Sequence, residues 1–149
     1  MEICLASECD LESIASLEKD IFKDFWSIDM IKSQFEMQNS GYIIAKNAGK
    51  TAGYACFTYV CDEAELLRIC VDKNFRRQGT ATKIFGKTEE IFKEKSIAEC
   101  FLEVRAGNVN AVSFYKKSGF EILGKRKGYY TSYNNEDALV MSKKYTREN

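Results

Sequence analysis

Apolar residues recur along this chain with two periods, and the switches between them divide it into elements. "MEICLA" opens as a short strand over 1–6. Leu11, Ile14, Leu17 and Ile21 follow at helical spacing, which predicts an amphipathic helix over 8–22 with Ser7 placed to cap it. Ser27 can cap a second helix over 28–38. The runs 41–46 and 51–60 read as strands, joined by the turn "NAGK" into an antiparallel hairpin. Another strand covers 63–71. Ile84, Phe85, Thr88, Ile91 and Phe92 share one stripe, so 80–95 is an amphipathic helix. Over 98–104, Ala98, Cys100, Leu102 and Val104 alternate with Glu99, Phe101 and Glu103, a strand with one apolar face. Asn108 starts a short helix over 109–118, and Gly119 stands where its C-terminal turn requires a left-handed residue. The segments 120–126 and 136–145 close the chain as an antiparallel pair.

This order, strand–helix–helix–strand–strand–strand–helix–strand–helix–strand–strand, predicts a mixed sheet with helices on its faces, an α/β or α+β protein. The 149 residues contain no Pro, no low-complexity linker and no repeat, so a single domain spanning 1–149 is expected. Lys+Arg and Asp+Glu both number 22, which gives no net field to hold nucleic acid. Six cysteines stand at 4, 9, 56, 61, 70 and 100 without a Cys-x-x-Cys pair, and there is no His. That pattern argues against a metal site. Cys56, Cys70 and Cys100 lie in apolar runs and read as small buried hydrophobes. No basic-then-apolar leader opens the chain, and no run reaches the ~20 apolar residues of a membrane span. The expectation is a cytoplasmic protein with free thiols and no membrane partner. Without His, acid–base chemistry falls to Glu, Asp, Tyr, Lys, Cys or water.

The stretch "RRQGTATKIFGKTEE" over 76–90 offers two phosphate sites. Gly86-Lys87-Thr88 looks like the end of a P-loop, which needs Gly-x-x-x-x-Gly-Lys-Ser/Thr. Ala81 stands where the first glycine belongs, and the tripeptide falls inside a predicted helix, where its amides are already used. The loop Arg76-Arg77-Gln78-Gly79-Thr80-Ala81 differs, because it follows a strand and opens a helix. Free N–H groups and the positive end of the helix dipole meet there. Gly79 lets phosphates approach the backbone, and both arginines can pair with phosphate oxygens.

That segment, within "LLRICVDKNFRRQGTATKIF", resembles the acetyl-coenzyme A site of the GNAT acetyltransferases, whose pattern is Arg/Gln-x-x-Gly-x-Gly/Ala between the fourth strand and the third helix. A second block of that family, "FLEVRAGNVNAVSFYKKSGF", follows at the expected distance, and the element order is the family's order. The resemblance implies a mostly antiparallel sheet of about seven strands with about four helices. It implies acetyl-CoA as co-substrate, no metal, and a diphosphate held by Arg76, Arg77, Gln78, Gly79, Thr80, Ala81 and Thr82. It also implies a thioester arm along Ile69, Cys70 and Val71, and coenzyme contacts from Asn108, Ala111 and Tyr115. "DEAELLRICVD", "GKRKGYY" and "EDALVM" are most similar to the branch that acetylates the N-terminal alanine of a small-subunit ribosomal protein. Three departures from that branch bear on acceptor preference: Phe25 for proline, Arg68 for asparagine, and a loop "TSYNN" without proline.

Acetylating an amine requires a base for its proton and an acid for the departing thiolate. Glu103, near the C-terminal end of its strand and opposite the apolar face, is the candidate base; the resemblance gives it that role through water. Tyr115 is the candidate acid, since its ordinary pKa of ~10 exceeds a thiol's ~8.5. Asn108, Ala111 and Tyr115 share one stripe of the short helix. Cys70 has no evident base beside it in sequence, so direct attack is expected rather than an acetyl-cysteine. Trp26, Arg68, Glu103, Tyr129 and Tyr130 are the acceptor-side candidates, the aromatics either lining a peptide groove or packing against the sheet edge. Glu136 and Asp137 either attract a basic peptide or simply begin a strand. A GNAT enzyme for small amines or lysine side chains, and a non-catalytic acyl-CoA-binding module, are the alternatives.

Overall fold

A computed structural model describes residues 1–145. Its strands are β1 (Glu2–Leu5), β2 (Ser40–Asn47), β3 (Lys50–Val60), β4 (Glu63–Val71), β5 (Glu99–Arg105), β6 (Glu121–Tyr130) and β7 (Glu136–Lys144). Its α-helices are α1 (Leu11–Ile21), α2 (Ile28–Glu36), α3 (Thr80–Glu94) and α4 (Val109–Lys117). The strands form a seven-stranded sheet in the order β1-β2-β3-β4-β5-β7-β6, in which β4–β5 is the parallel pair and the other pairs are antiparallel. The mixed, mostly antiparallel architecture expected from the sequence is the observed one.

Local chemistry explains the boundaries. The hairpin turn places Ala48 and Gly49 at φ +50° and +80°, as a two-residue connection of twisted strands demands. Ser27 Oγ accepts the Met30 amide at 3.2 Å and starts α2, and Asn108 Oδ1 accepts the Ala111 amide at 3.3 Å and starts α4. Gly119, at φ +101°, ends α4. Beyond shifts of one or two residues at several ends, two boundaries differ from the sequence reading in kind. Ser7 opens a single 3-10 turn, Glu8–Asp10, and the α-helix begins only at Leu11. Strand β6 runs past 126 to Tyr130, because the Gly128 amide donates to Asp137 Oδ1 at 2.9 Å and carries the pairing across an irregularity.

Two cores fill the faces. Ile84, Phe85 and Phe92 of α3 and Tyr115 of α4 pack with Ile43, Ala55, Phe57, Leu66, Leu102 and Met141. On the other face Leu11, Ile14 and Leu17 of α1 and Ile31 of α2 meet Ile44, Tyr42, Tyr54 and Cys56. Ile43 and Ile44 thus serve opposite cores, as the strand's two-residue period dictates. Gly86-Lys87-Thr88 lies inside α3: Thr88 is buried with its hydroxyl on the Ile84 carbonyl at 3.0 Å, and Lys87 pairs with Glu90. A helix interior leaves no amide of that tripeptide free for a phosphate.

Candidate active site

A one-residue irregularity in β4 creates the site. Phe57 pairs with Leu66 and Cys56 with Arg68, leaving Leu67 as an extra residue. A bulge bends its strand and exchanges the faces beyond it. Before it, Ala64 and Leu66 face the α3 side; after it, Ile69 and Val71 do, while Cys70 joins the α1 side. Strands β4 and β5 pair only from Glu63↔Glu99 to Leu66↔Leu102 and then part. The wedge between them opens toward the N-terminal turn of α4.

One side of the wedge is a cleft of about 550 Å³ lined by Ile69, Cys70, Val71, Phe75 and Tyr115, with Arg76, Arg77 and Gly79 through Thr82 at its far end. There Gly79 takes φ +75° as the N-cap of α3, and Arg77 takes φ +62°. These conformations turn the loop so that α3 presents its first amides to the cleft. Arg76 folds back and donates from Nε to the Val71 carbonyl at 3.2 Å. Arg77 stays exposed, and Gln78 is not part of the lining.

The other side is a pocket of about 70 Å³ lined by Phe22, Asp24, Arg68, Glu103, Arg105, Asn108, Tyr130 and Tyr133 among others. Ile69, Ala111 and Tyr115 border both spaces. Asn108 borders the small pocket, whereas Asn110 borders the large cleft. Tyr115 is buried against Phe114 and Phe120. Burial, reinforced by Tyr130, holds its hydroxyl above the ordinary tyrosine range. Tyr130 itself is pushed up to about 12, by burial first and then by the negative charge of Glu103. Glu103 Oε1 meets Arg126 Nη2 at 3.2 Å, while Oε2 is buried with no hydrogen-bond partner among the described residues. That oxygen can accept a proton donor brought in by a ligand or a water.

Behind the pocket lies a charge cluster. Glu18 of α1 is fully buried and accepts from Arg68 Nε at 3.0 Å, from the Trp26 amide at 3.1 Å and from the Tyr54 hydroxyl. Burial raises its carboxyl above the ordinary range, and Arg68 pulls it back down. Arg68 also donates to the Asp24 carbonyl at 2.9 Å and lies 4.1 Å and 4.9 Å from the ring centroids of Phe22 and Trp26. The bulge is what aims Arg68 at α1.

A coenzyme-sized cleft with a helix N-terminus, joined by a tyrosine to a small pocket holding a carboxylate, suits group transfer to a small nucleophile. The family model described as the acetyltransferase (GNAT) family matches residues 11–120. The chain belongs to the GNAT acetyltransferase family. It is 33% identical over 133 residues to a putative ribosomal protein bS18-alanine N-acetyltransferase of Bacillus subtilis, covering 89% of this chain and 87% of that one. It is 31% identical over 134 residues to the ribosomal protein bS18-alanine N-acetyltransferase of Escherichia coli K12, covering 89% and 90%. The crystal structure of the ribosomal-protein-S18-alanine N-acetyltransferase from Escherichia coli superposes with a TM-score of 0.91 at 28% identity, over 99% of this chain and 96% of that chain.

Within this GNAT acetyltransferase, Arg68, Glu103 and Tyr130 are brought together on the small pocket, whereas Trp26 and Tyr129 are not on its wall. Trp26 stacks behind Arg68, and Tyr129 is 49% exposed with Arg126 over its ring. Glu136 is held by Arg105 at 2.9 Å and by the Gly107 amide at 2.9 Å. Sequence reasoning missed Phe22, Asp24, Arg105, Tyr133 and the buried Glu18. Glu18 was detectable: it falls on the apolar stripe of α1 with Leu11, Ile14 and Ile21, where a carboxylate demands a buried partner. No group of three or more potential metal ligands stands among the described residues, and no helix there is long and apolar enough to cross a membrane.

Proposed function

We propose that this GNAT acetyltransferase acts as a protein N-α-acetyltransferase of the RimI type, moving an acetyl group from acetyl-CoA to the N-terminal alanine of ribosomal protein bS18. The carrying observation is the position of Tyr115, shared by the long cleft and the small pocket that Glu103 also lines. The cleft fits the coenzyme by its donor set. Amides of the first turn of α3 and the exposed Arg77 suit a diphosphate, and the strand edge of β4 freed beyond Leu66 offers backbone groups to an amide-bearing arm.

Acetyl-CoA supplies an activated acyl carbon: the amine nitrogen bonds to it and the carbon–sulfur bond breaks. Glu103 takes the proton that the amine gives up, through its unpartnered Oε2 and a water. Tyr115 gives its proton to the leaving thiolate and regains one from solvent, so the phenol ends as it began. Cys70 is buried, and its thiol is raised well above the ordinary range by burial, which leaves it a poor nucleophile and favours direct attack. The relatives' names support the alanine acceptor at about one-third identity.

The test is turnover in Glu103→Gln and Tyr115→Phe. Each is expected to lower kcat by about a hundredfold or more, the usual range for general acid–base groups, with coenzyme affinity retained. Unchanged rates in both variants would sink the assigned roles.

A further inference from the structure

We infer that Tyr133 sets the size limit on the acceptor's first residue, a specificity-determining role that rests on the α-amine reading above. Two connections flank the small pocket: 22–27 between α1 and α2, and 131–135 between β6 and β7. Tyr133 joins them. The Lys23 backbone amide donates to the Tyr133 hydroxyl at 2.9 Å, and Lys23 Nζ lies 5.3 Å from the centre of its ring.

Both ends of this strap are fixed. The Arg105 guanidinium lies 4.0 Å from the Tyr133 ring centroid, and Arg105 is itself paired to Glu136 at 2.9 Å. The following residues Asn134 and Asn135 take φ +54° and +57°, which shapes the turn that delivers the ring. On the pocket lining, Arg68 is braced by Glu18 and Asp24 and lies over the Phe22 ring. The space they flank is about 70 Å³ and partly open to solvent. That is room for a few water-sized groups, on the order of 10–15 Å³ each. An amine on a residue with a methyl side chain fits behind the strap. On this inference a leucine or methionine side chain is disfavoured while Tyr133 and Lys23 stay joined.

The experiment compares wild type, Tyr133→Phe and Tyr133→Ala on peptides that differ only in the first residue: Ala, Ser, Val or Leu. It reads kcat/KM for each peptide, with coenzyme affinity and the unfolding midpoint measured alongside. Wild type is expected to favour Ala over Leu by at least tenfold. Tyr133→Ala is expected to cut that ratio at least tenfold, with the change mainly in KM for the Leu peptide. Tyr133→Phe keeps the ring, loses the bond to Lys23 and should fall between; it carries the test alone if the alanine variant does not fold. A merely structural role would lower all peptides together and leave the ratio unchanged, and that result overturns the inference. A wild-type enzyme that acetylates none of the peptides overturns the α-amine reading and this inference with it. Active wild type with an unaltered ratio in the variants overturns this inference alone.

Discussion

At the scale of single residues, the proposed mechanism depends on two oxygens in opposite roles: the Tyr115 hydroxyl as donor and the unpartnered Glu103 Oε2 as acceptor. In that mechanism Tyr115 must hold its proton until the thiolate leaves, and burial favours this by disfavouring the phenolate. Tyr130, pushed up to about 12, stays neutral beside it and adds no charge. Raised phenol pKa values keep both tyrosines protonated across the working range, so neither produces an alkaline fall. The rise in kcat/KM should track the acceptor amine, with pKa ~8. A profile of kcat/KM against pH should climb to about pH 8.5 and stay level to about pH 9.5, as expected for a phenol held above its ordinary ~10. A drop beginning below pH 9 would contradict that protonation state. Glu103 and Tyr115, which line one pocket, were singled out in the sequence by strand alternation, helical spacing and the family resemblance. Tyr133 was not, because its place depends on a bond to Lys23 that spans 110 positions.

At the scale of elements, the bulge at Leu67 has the widest effect. It parts β4 from β5, frees a strand edge in the cleft and turns Arg68 toward α1. The pattern of "EAELLRICV" reads as one strand, and a single extra residue in an apolar run leaves no mark on composition. The element was therefore readable and its change of face was not. The same was true of β6, whose extension to Tyr130 rests on Asp137 rather than on its own apolar pattern. The Glu18–Arg68 pair locks α1 and its following loop to β4. Breaking one partner of a buried pair leaves an uncompensated charge and costs about 3–5 kcal/mol. Glu18→Ala should lower unfolding free energy by about that much in denaturant titration. Lys87→Ala, which breaks the exposed pair with Glu90, should stay within about 1 kcal/mol. Equal effects would show that the buried cluster does not hold the loop.

At the scale of the whole molecule, the order of elements was readable because most long elements carry a period of two or of 3.6. The order of strands in space was not readable, since pairing across the sheet is not a local property; the family resemblance supplied only a mostly antiparallel sheet of about seven strands. The proposed anion site could be argued locally: an unused helix N-terminus can bind phosphate, and a helix interior does not. Coenzyme A at a hundred times its Kd should therefore raise stability by about 2.7 kcal/mol, read as a shift in unfolding midpoint. ATP at the same concentration should leave the midpoint near its unliganded value; an equal shift with ATP would contradict a coenzyme-specific cleft. The central claim is transfer to an α-amine, and one measurement tests it most directly. A peptide that begins with Ala and carries one internal lysine is incubated with enzyme and acetyl-CoA, and the product is weighed intact and fragmented. The expected result is a single acetyl group on the N-terminal nitrogen, absent when that nitrogen is blocked beforehand. Acetyl on the lysine, or no transfer to either amine, would contradict it.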